Sequence, residues 1–407
     1  MAMNRPKRIL SGLLGLTCLL VPFSCERLNL PNETYEPIVL TKSQQSVVRQ
    51  GDAFALDFLR TTTQYFPGTN VFLSPMSASM LCSMLANGAE NTTYSEIVKA
   101  IGMDGFTIDQ VNDAYSTLVS ALLKADRNVS LSFANSIWTA KGLALKSSFK
   151  KRMSAVYDAD SYVVDFGEAS TLQKINGWCS DKTNGLIPKM LEELDPQVQA
   201  ILINALYFKG VWKIPFIKDA TYQAPFHANP QTSAYYMSAL TDVTGYRDKE
   251  VDVVRLPYGN GAFYLEAIMP ADGDLPSFLT RLTPEALARW DADNVRNLRL
   301  VFPKFKEEFD TEQQLIPILQ ALGVKKAFTG AAEFGKMSDA DLYVSNMRQK
   351  TFISLDEEGT QSAAVTVAEL RKNSAGEGPV MVFDHPFVYL IREKSTGAIL
   401  FTGVKVQ

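Results

Sequence analysis

The chain has 407 residues, 46% hydrophobic and 21% charged, with 24 glycines and 19 prolines, which excludes collagen-like, low-complexity and wholly disordered chains. Its 40 basic and 44 acidic residues leave no positive excess to follow a nucleic-acid backbone, so no nucleic-acid partner is expected. The two histidines, His227 and His385, and the four cysteines are widely scattered, so neither a metal site nor a cofactor is expected.

At the start of the chain, Arg5, Lys7 and Arg8 precede an apolar run from Ile9 to Phe23. A run of that length reads as a secretory signal, too short for a stable bilayer anchor. It ends in Val21-Pro22-Phe23-Ser24-Cys25, which looks like a loosened bacterial lipoprotein signal with Pro22 where leucine is more usual. The Cys25 thiol would then carry the lipid, and each buried CH₂ of its acyl chains contributes about 0.8 kcal/mol to anchoring. The expected location is a bacterial membrane, the outer one, reached through this N-terminal lipid. Plain cleavage near Ser24 would instead release a secreted protein. The expected organisation is a signal peptide over residues 1–24, a tether over 25–43 and a single domain over 44–407. Removing residues 1–24 leaves 383 residues and moves the formal charge from −4 to −7. Cys82 and Cys179 then remain in apolar helical patterns and read as two separate buried thiols. An exported chain without a disulfide framework needs a large core.

Helix signals dominate the first half. Ser74-Pro75 reads as an N-cap with proline at the first helical position, ahead of Met80, Leu81, Met84 and Leu85. Thr93 to Glu96 reads as a capping box, and so does Thr311 to Gln314, with Gly323 as a stop. Strands dominate later. Val251–Tyr258 and Phe263–Met269 flank Gly259-Asn260-Gly261 as a hairpin, and Leu298–Phe302, Thr351–Leu355, Phe387–Ile391 and Ile399–Val404 are further strand-like runs. Early helices and later antiparallel pairs imply an α+β fold, and the absence of internal repeats implies one large domain.

Some motifs carry less than they suggest. Gly330 to Met337 resembles a phosphate-binding loop, yet Met337 stands where a hydroxyl is needed and Glu333 would face phosphate. His385 precedes Pro386 at a strand start and reads as a structural imidazole. Gly-x-Ser-x-Gly is missing and no nucleophile motif lies near either histidine, so a hydrolase is disfavoured and the chain is not read as an enzyme.

Between the strands Thr351–Leu355 and Phe387–Ile391 runs EEGTQSAAVTVAELRKNSAGEGPVMVFDHP. A structureless connection that long inside a compact domain is usually functional or disordered. From Gly359 to Val367 it holds small or β-branched residues without charge or proline, a strand-ready segment. Alternation puts Thr360, Ser362, Ala364, Thr366 and Ala368 on one face. Its second half, with Arg371, Lys372, Asn373, Ser374 and Gly376, reads as protease bait.

Over roughly residues 45–405 the sequence resembles a serpin, the serine protease inhibitor family. Asn70 to Ser77 with Gly88-Ala89, Asn204 to Trp212, Leu256-Pro-Tyr258, Glu357-Glu-Gly-Thr360 with Gln-Ser-Ala-Ala, and Asp384-His-Pro-Phe387 match its motifs in order. The resemblance implies an α+β fold with a large antiparallel-rich main sheet, smaller sheets covered by helices, and an exposed reactive-centre loop. It also implies a monomeric suicide inhibitor. A serine protease, with cysteine proteases as a second class, attacks the loop as an acyl-enzyme. The hinge, Glu357, Glu358, Gly359, Thr360, Gln361, Ser362, Ala363, Ala364, Val365 and Thr366, then inserts as a strand. Fifteen inserted residues at about 3.3 Å each reach on the order of 50 Å, enough to drag the protease across the molecule.

Family spacing from Gly359 puts the reactive bond at Asn373–Ser374. The loop is a residue or two longer than is common, and Lys372 and Arg371 stand just upstream. Lys372–Asn373 is therefore the second candidate, and a trypsin-like or broad protease range is expected. Ser74, Ser77 and Asn204 match the family's sheet-opening polar cluster, and Trp212 matches the tryptophan where the loop first enters the sheet. Gln349 stands where a histidine is common in that cluster; its amide can donate and accept without titrating. The rival within the family is a non-inhibitory carrier or scaffold, which the small hinge residues disfavour.

Overall fold

The computed structural model describes Met1, residues 34–360 and residues 379–407. The first helix, Lys42–Tyr65, is opened by a capping box that the sequence reading passed over. Thr41 Oγ1 accepts from Gln44 N–H, and the Gln44 side chain accepts from Thr41 N–H at 2.9 Å. The stretch before it corrects the tether boundary. Tyr35 Oη donates to Glu393 (3.3 Å), Ile38 N–H donates to Ser395 Oγ (2.9 Å), and Tyr35, Ile38 and Leu40 pack on the core. Three apolar side chains find a surface to cover, so the compact unit begins at Thr34 rather than at residue 44.

Ser74 caps the helix Pro75–Gly88 as expected, accepting from Ser77 N–H at 3.2 Å. Every residue of this helix is buried, so it forms the centre of the core and has no solvent face. The other two expected boxes do not form. The helix Asn91–Ala100 starts earlier than expected, leaving Thr93 inside it, where Glu333 accepts from Thr93 N–H at 3.2 Å. Thr311 is taken by Gln349, whose N–H donates to Thr311 Oγ1 at 2.9 Å, and the helix Leu315–Ala321 has no side-chain cap. In both cases a partner distant in sequence outcompetes the local bond. Gly323, at φ 112°, stops that helix as read.

Among the described residues the strands form one fourteen-stranded sheet, twelve of them along a single path. Its order is Val71–Leu73, Ile399–Lys405, Phe387–Glu393, Phe263–Pro270, Val251–Pro257, Thr232–Arg247, Val295–Asp310, Lys350–Leu355, Gly359–Thr360, Ala200–Val211, Val129–Ala140 and Ala159–Val164. Tyr222–Phe226 and Val380–Val382 pair to the side of it. The sixteen-residue strand Val295–Asp310 belongs to both halves of the path. The pairing is antiparallel except for Val129–Ala140 with Ala159–Val164, and Val380–Val382 with Val295–Asp310. The expected hairpin is present, with Gly259 (φ 41°) and Gly261 (φ 94°) in the left-handed conformations its turn requires.

The strand Ala200–Val211 is covered on both faces. Ala200, Leu202, Leu206 and Phe208 point into the main core, while Ile201, Ile203 and Ala205 pack beneath the helix Ala169–Lys182. Cys82 and Cys179 are free and buried, and burial pushes both thiols up to about 12. The α+β reading holds, with helices over a sheet system that is mostly antiparallel.

Candidate functional site: the root of the long loop

The strand Lys350–Leu355 delivers the chain to a tight turn. Asp356 Oδ1 accepts from Glu358 N–H (2.9 Å) and Gly359 N–H (3.3 Å), and Asp356 N–H donates back to Gly359 O at 2.9 Å. The turn returns Gly359–Thr360 as a two-residue strand, antiparallel both to Lys350–Leu355 and to Ala200–Val211. Leu355 pairs with Thr360, Gly359 with Val211, and Thr360 with Gly210. Among the described residues this short strand alone fills the space between its two long neighbours.

The root is fastened by its carbonyls. Trp212 N–H donates to Glu358 O (2.8 Å), Trp212 Nε1 to Asp356 O (2.8 Å) and Phe216 N–H to Glu357 O (2.9 Å). Trp212 is thus tied to the turn that leads into Gly359–Thr360. It stacks on Tyr258 at 4.5 Å, and Tyr258 Oη shares a 2.5 Å hydrogen bond with Thr360 Oγ1. Burial holds the Tyr258 phenol far above its ordinary range, so it stays a neutral hydroxyl.

Side chains add a second set of fastenings. Glu357 accepts from Thr221 Oγ1 and Lys304 Nζ, each at 2.8 Å. Burial alone would raise its carboxyl; Lys304 and Thr221 outweigh that and hold it below the usual range. Glu358 pairs with Lys218. Lys218, Lys304, Asp356, Glu357 and Glu358 line a cavity of about 260 Å³.

Of the residues matched to the sheet-opening cluster, Ser74, Ser77 and Gln349 lie together. Ser74 N–H donates to Gln349 Oε1 (2.9 Å) and Gln349 Nε2 donates to Ser74 O (2.8 Å), so the glutamine makes both bonds its amide allows there. Ser74 Oγ and Ser77 Oγ are 2.8 Å apart. Asn204 shows no hydrogen bond to these groups: its Nδ2 donates to Asn135 Oδ1 at 2.7 Å, and its own Oδ1 is buried without a partner. Gln361, Ser362, Ala363, Ala364, Val365, Thr366, Arg371, Lys372, Asn373, Ser374 and Cys25 lie outside the described residues.

Where the chain returns, Val380–Val382 pairs with Arg299–Val301, and His227 N–H donates to Asp384 O at 2.7 Å. The two histidines, distant in sequence, are neighbours in space. Their rings stack at 4.8 Å, with His385 Nδ1 2.7 Å from Asp384 Oδ1. Asp384 thus engages His385 through its side chain and the His227 backbone through its carbonyl. The sequence reading missed Lys218, Thr221, Lys304, Asn135 and the hydroxyl role of Tyr258. Isolated lysines and threonines carry no pattern; of the five, only Tyr258 lay in a quoted motif.

The family model of the serpins, serine protease inhibitors, matches residues 49–407. Human Serpin B9 is 31% identical over 370 residues, covering 86% of this chain and 96% of that protein. The leukocyte elastase inhibitor of Bos taurus is 30% identical, with the same coverage of 86% and 96%. The crystal structure of human kallistatin superposes with a TM-score of 0.81 at 26% identity, covering 90% of this chain and 99% of that one. A family match over nearly the whole folded unit, with relatives of 30% identity or more covering most of both chains, makes this chain a member of the serpin family of protease inhibitors.

Proposed function

We propose that this chain is an irreversible suicide inhibitor that traps a serine protease as an acyl-enzyme by inserting its cleaved loop as a strand of the main sheet. The observation that carries the reading is Gly359–Thr360, already paired on both sides between Lys350–Leu355 and Ala200–Val211. Continuing that register sets Ser362 opposite Phe208, Ala364 opposite Leu206 and Thr366 opposite Asn204. Phe208 and Leu206 face the main core, so the residues arriving there must be small, and they are. Thr366 would bring a hydroxyl beside the unpartnered Asn204 Oδ1. The protease supplies the catalytic groups, so each inhibitor molecule acts once and this chain is not an enzyme.

Arg371 and Lys372 favour a trypsin-like or broad serine protease range, cut at Asn373–Ser374 or Lys372–Asn373, with cysteine proteases as a second class. The leader and Cys25 favour export and lipid anchoring to the outer membrane of a bacterium, or secretion if the lipid is not added. A monomer suffices for this mechanism. The test mixes the protein with trypsin, looks for an SDS-stable complex, and reads the released fragment by mass spectrometry. The expected fragment starts at Asn373 or Ser374, and loop-cleaved protein melts far above the intact form. No stable complex with any serine protease, with no rise in melting temperature, would leave the carrier or scaffold reading in its place.

A further inference from the structure

We propose that Lys218 is a positioning residue for loop insertion: by holding Glu358, it keeps the root of the loop aligned with the channel it must enter. The inference rests on the inhibitory reading above. Asp356, Glu357 and Glu358 are three consecutive carboxylates at the point where the chain reverses into the sheet. Each is held differently. Asp356 is turned inward onto the amides of Glu358 and Gly359. Glu357 is drawn to Thr221 and to Lys304 on the strand Val295–Asp310. Glu358 points to the 3₁₀ turn Lys218–Ala220, where Lys218 is its ion-pair partner.

Among the described residues that line the cavity at the loop root, removing the Lys218 charge would leave three adjacent carboxylates and one cation, Lys304. Like charges at this spacing repel, and the least constrained of the three is Glu358. Its backbone precedes Gly359, the residue with least resistance to rotation, so the repulsion acts on the joint that sets the register of Gly359–Thr360. Glu358 is mostly covered, its side chain 17% exposed, whereas Lys218 is 66% exposed and gives up little else to reach it. The pair is therefore sensitive to salt.

Insertion competes with hydrolysis of the acyl-enzyme, so a misaligned root alters the outcome after cleavage and leaves the cleavage itself unchanged. The experiment titrates trypsin with wild-type protein, Lys218→Met, Lys218→Arg and the swapped pair Lys218→Glu/Glu358→Lys. Inhibitor molecules consumed per protease trapped are counted from 0.05 to 1 M NaCl. Lys218→Met is expected to raise that number about two- to fourfold at low salt, with an unchanged association rate, while Lys218→Arg and the swap restore it. Wild type is expected to drift towards the Lys218→Met value as salt rises, and Lys218→Met to stay flat. Equal stoichiometry for wild type and Lys218→Met across the salt range overturns the role of Lys218 while leaving inhibition standing. A wild type that traps no protease overturns both readings. Failure of the swap, with circular dichroism and melting temperature unchanged, also overturns the assignment, because a charge pair that positions must tolerate exchange of its ends.

Discussion

At Gly359 the backbone holds φ at 157° while the Gly210 carbonyl crowds the place of any side chain, and an added Cβ would lie 2.7 Å from Val211 Cα. Gly359→Ala must therefore push the short strand out of the sheet or strain it, at a cost on the order of 1–3 kcal/mol. The expected outcome is a protein that trypsin still cuts but that yields about tenfold less SDS-stable complex, measured on gels at equal input. A complex yield equal to wild type would show that the seat of Gly359–Thr360 is dispensable. Gln349 shows the opposite relation between residue and site. Its amide chemistry was readable in advance, and the two bonds to Ser74 are those expected of a group that both donates and accepts.

The behaviour of the loop belongs to the strand as an element. Period-two alternation placed Thr360, Ser362, Ala364 and Thr366 on one face, and Thr360 fixes which face that is, since its hydroxyl meets Tyr258 in the core. Ala364→Glu would carry a carboxylate against Leu206 and the apolar core on insertion, a burial costing several kcal/mol without a partner. Cleavage should proceed at the wild-type rate while complex disappears and cut inhibitor accumulates; undiminished complex would disprove the inferred register. Helix starts were less legible. Thr93 and Thr311 look like caps in sequence, but Glu333 and Gln349, far along the chain, take them. Thr41 with Gln44 is a working box whose cap residue lies at the end of a stretch read as a polar tether.

At the scale of the whole molecule, stability against pH depends on a partly buried charge network between the first helix and the sheet. Glu266 accepts from Arg255 (2.9 Å) and Arg392 (2.7 Å), and Arg392 also reaches Asp291 at 3.3 Å. Asp52, on Lys42–Tyr65, accepts from Ile399 N–H at 3.1 Å, and burial pushes its carboxyl up to about 7 against the pull of Arg392. A folded-state value above the unfolded one means the fold favours protonated Asp52. Its contribution is full below about pH 4 and is lost as pH rises through about 7. Asp52→Asn keeps the acceptor for Ile399 and removes the titration. The variant should melt about 2 °C or more above wild type at pH 8, with the gap closing towards pH 4, by calorimetry. A gap independent of pH would exclude Asp52 as its source.

The amino-acid sequence by itself determined the fold class, the family and the two separate buried thiols. These are matters of local pattern, period and ordered motifs, which survive in one dimension. Tertiary structure alone decided where the tether ends, which threonines cap helices, and that His227 and His385 stack. It also decided that Lys218 and Lys304 flank the three carboxylates at the loop root. Those features arise from groups up to a few hundred residues apart meeting at a few ångströms, and no local pattern encodes which distant partner outcompetes a nearby one.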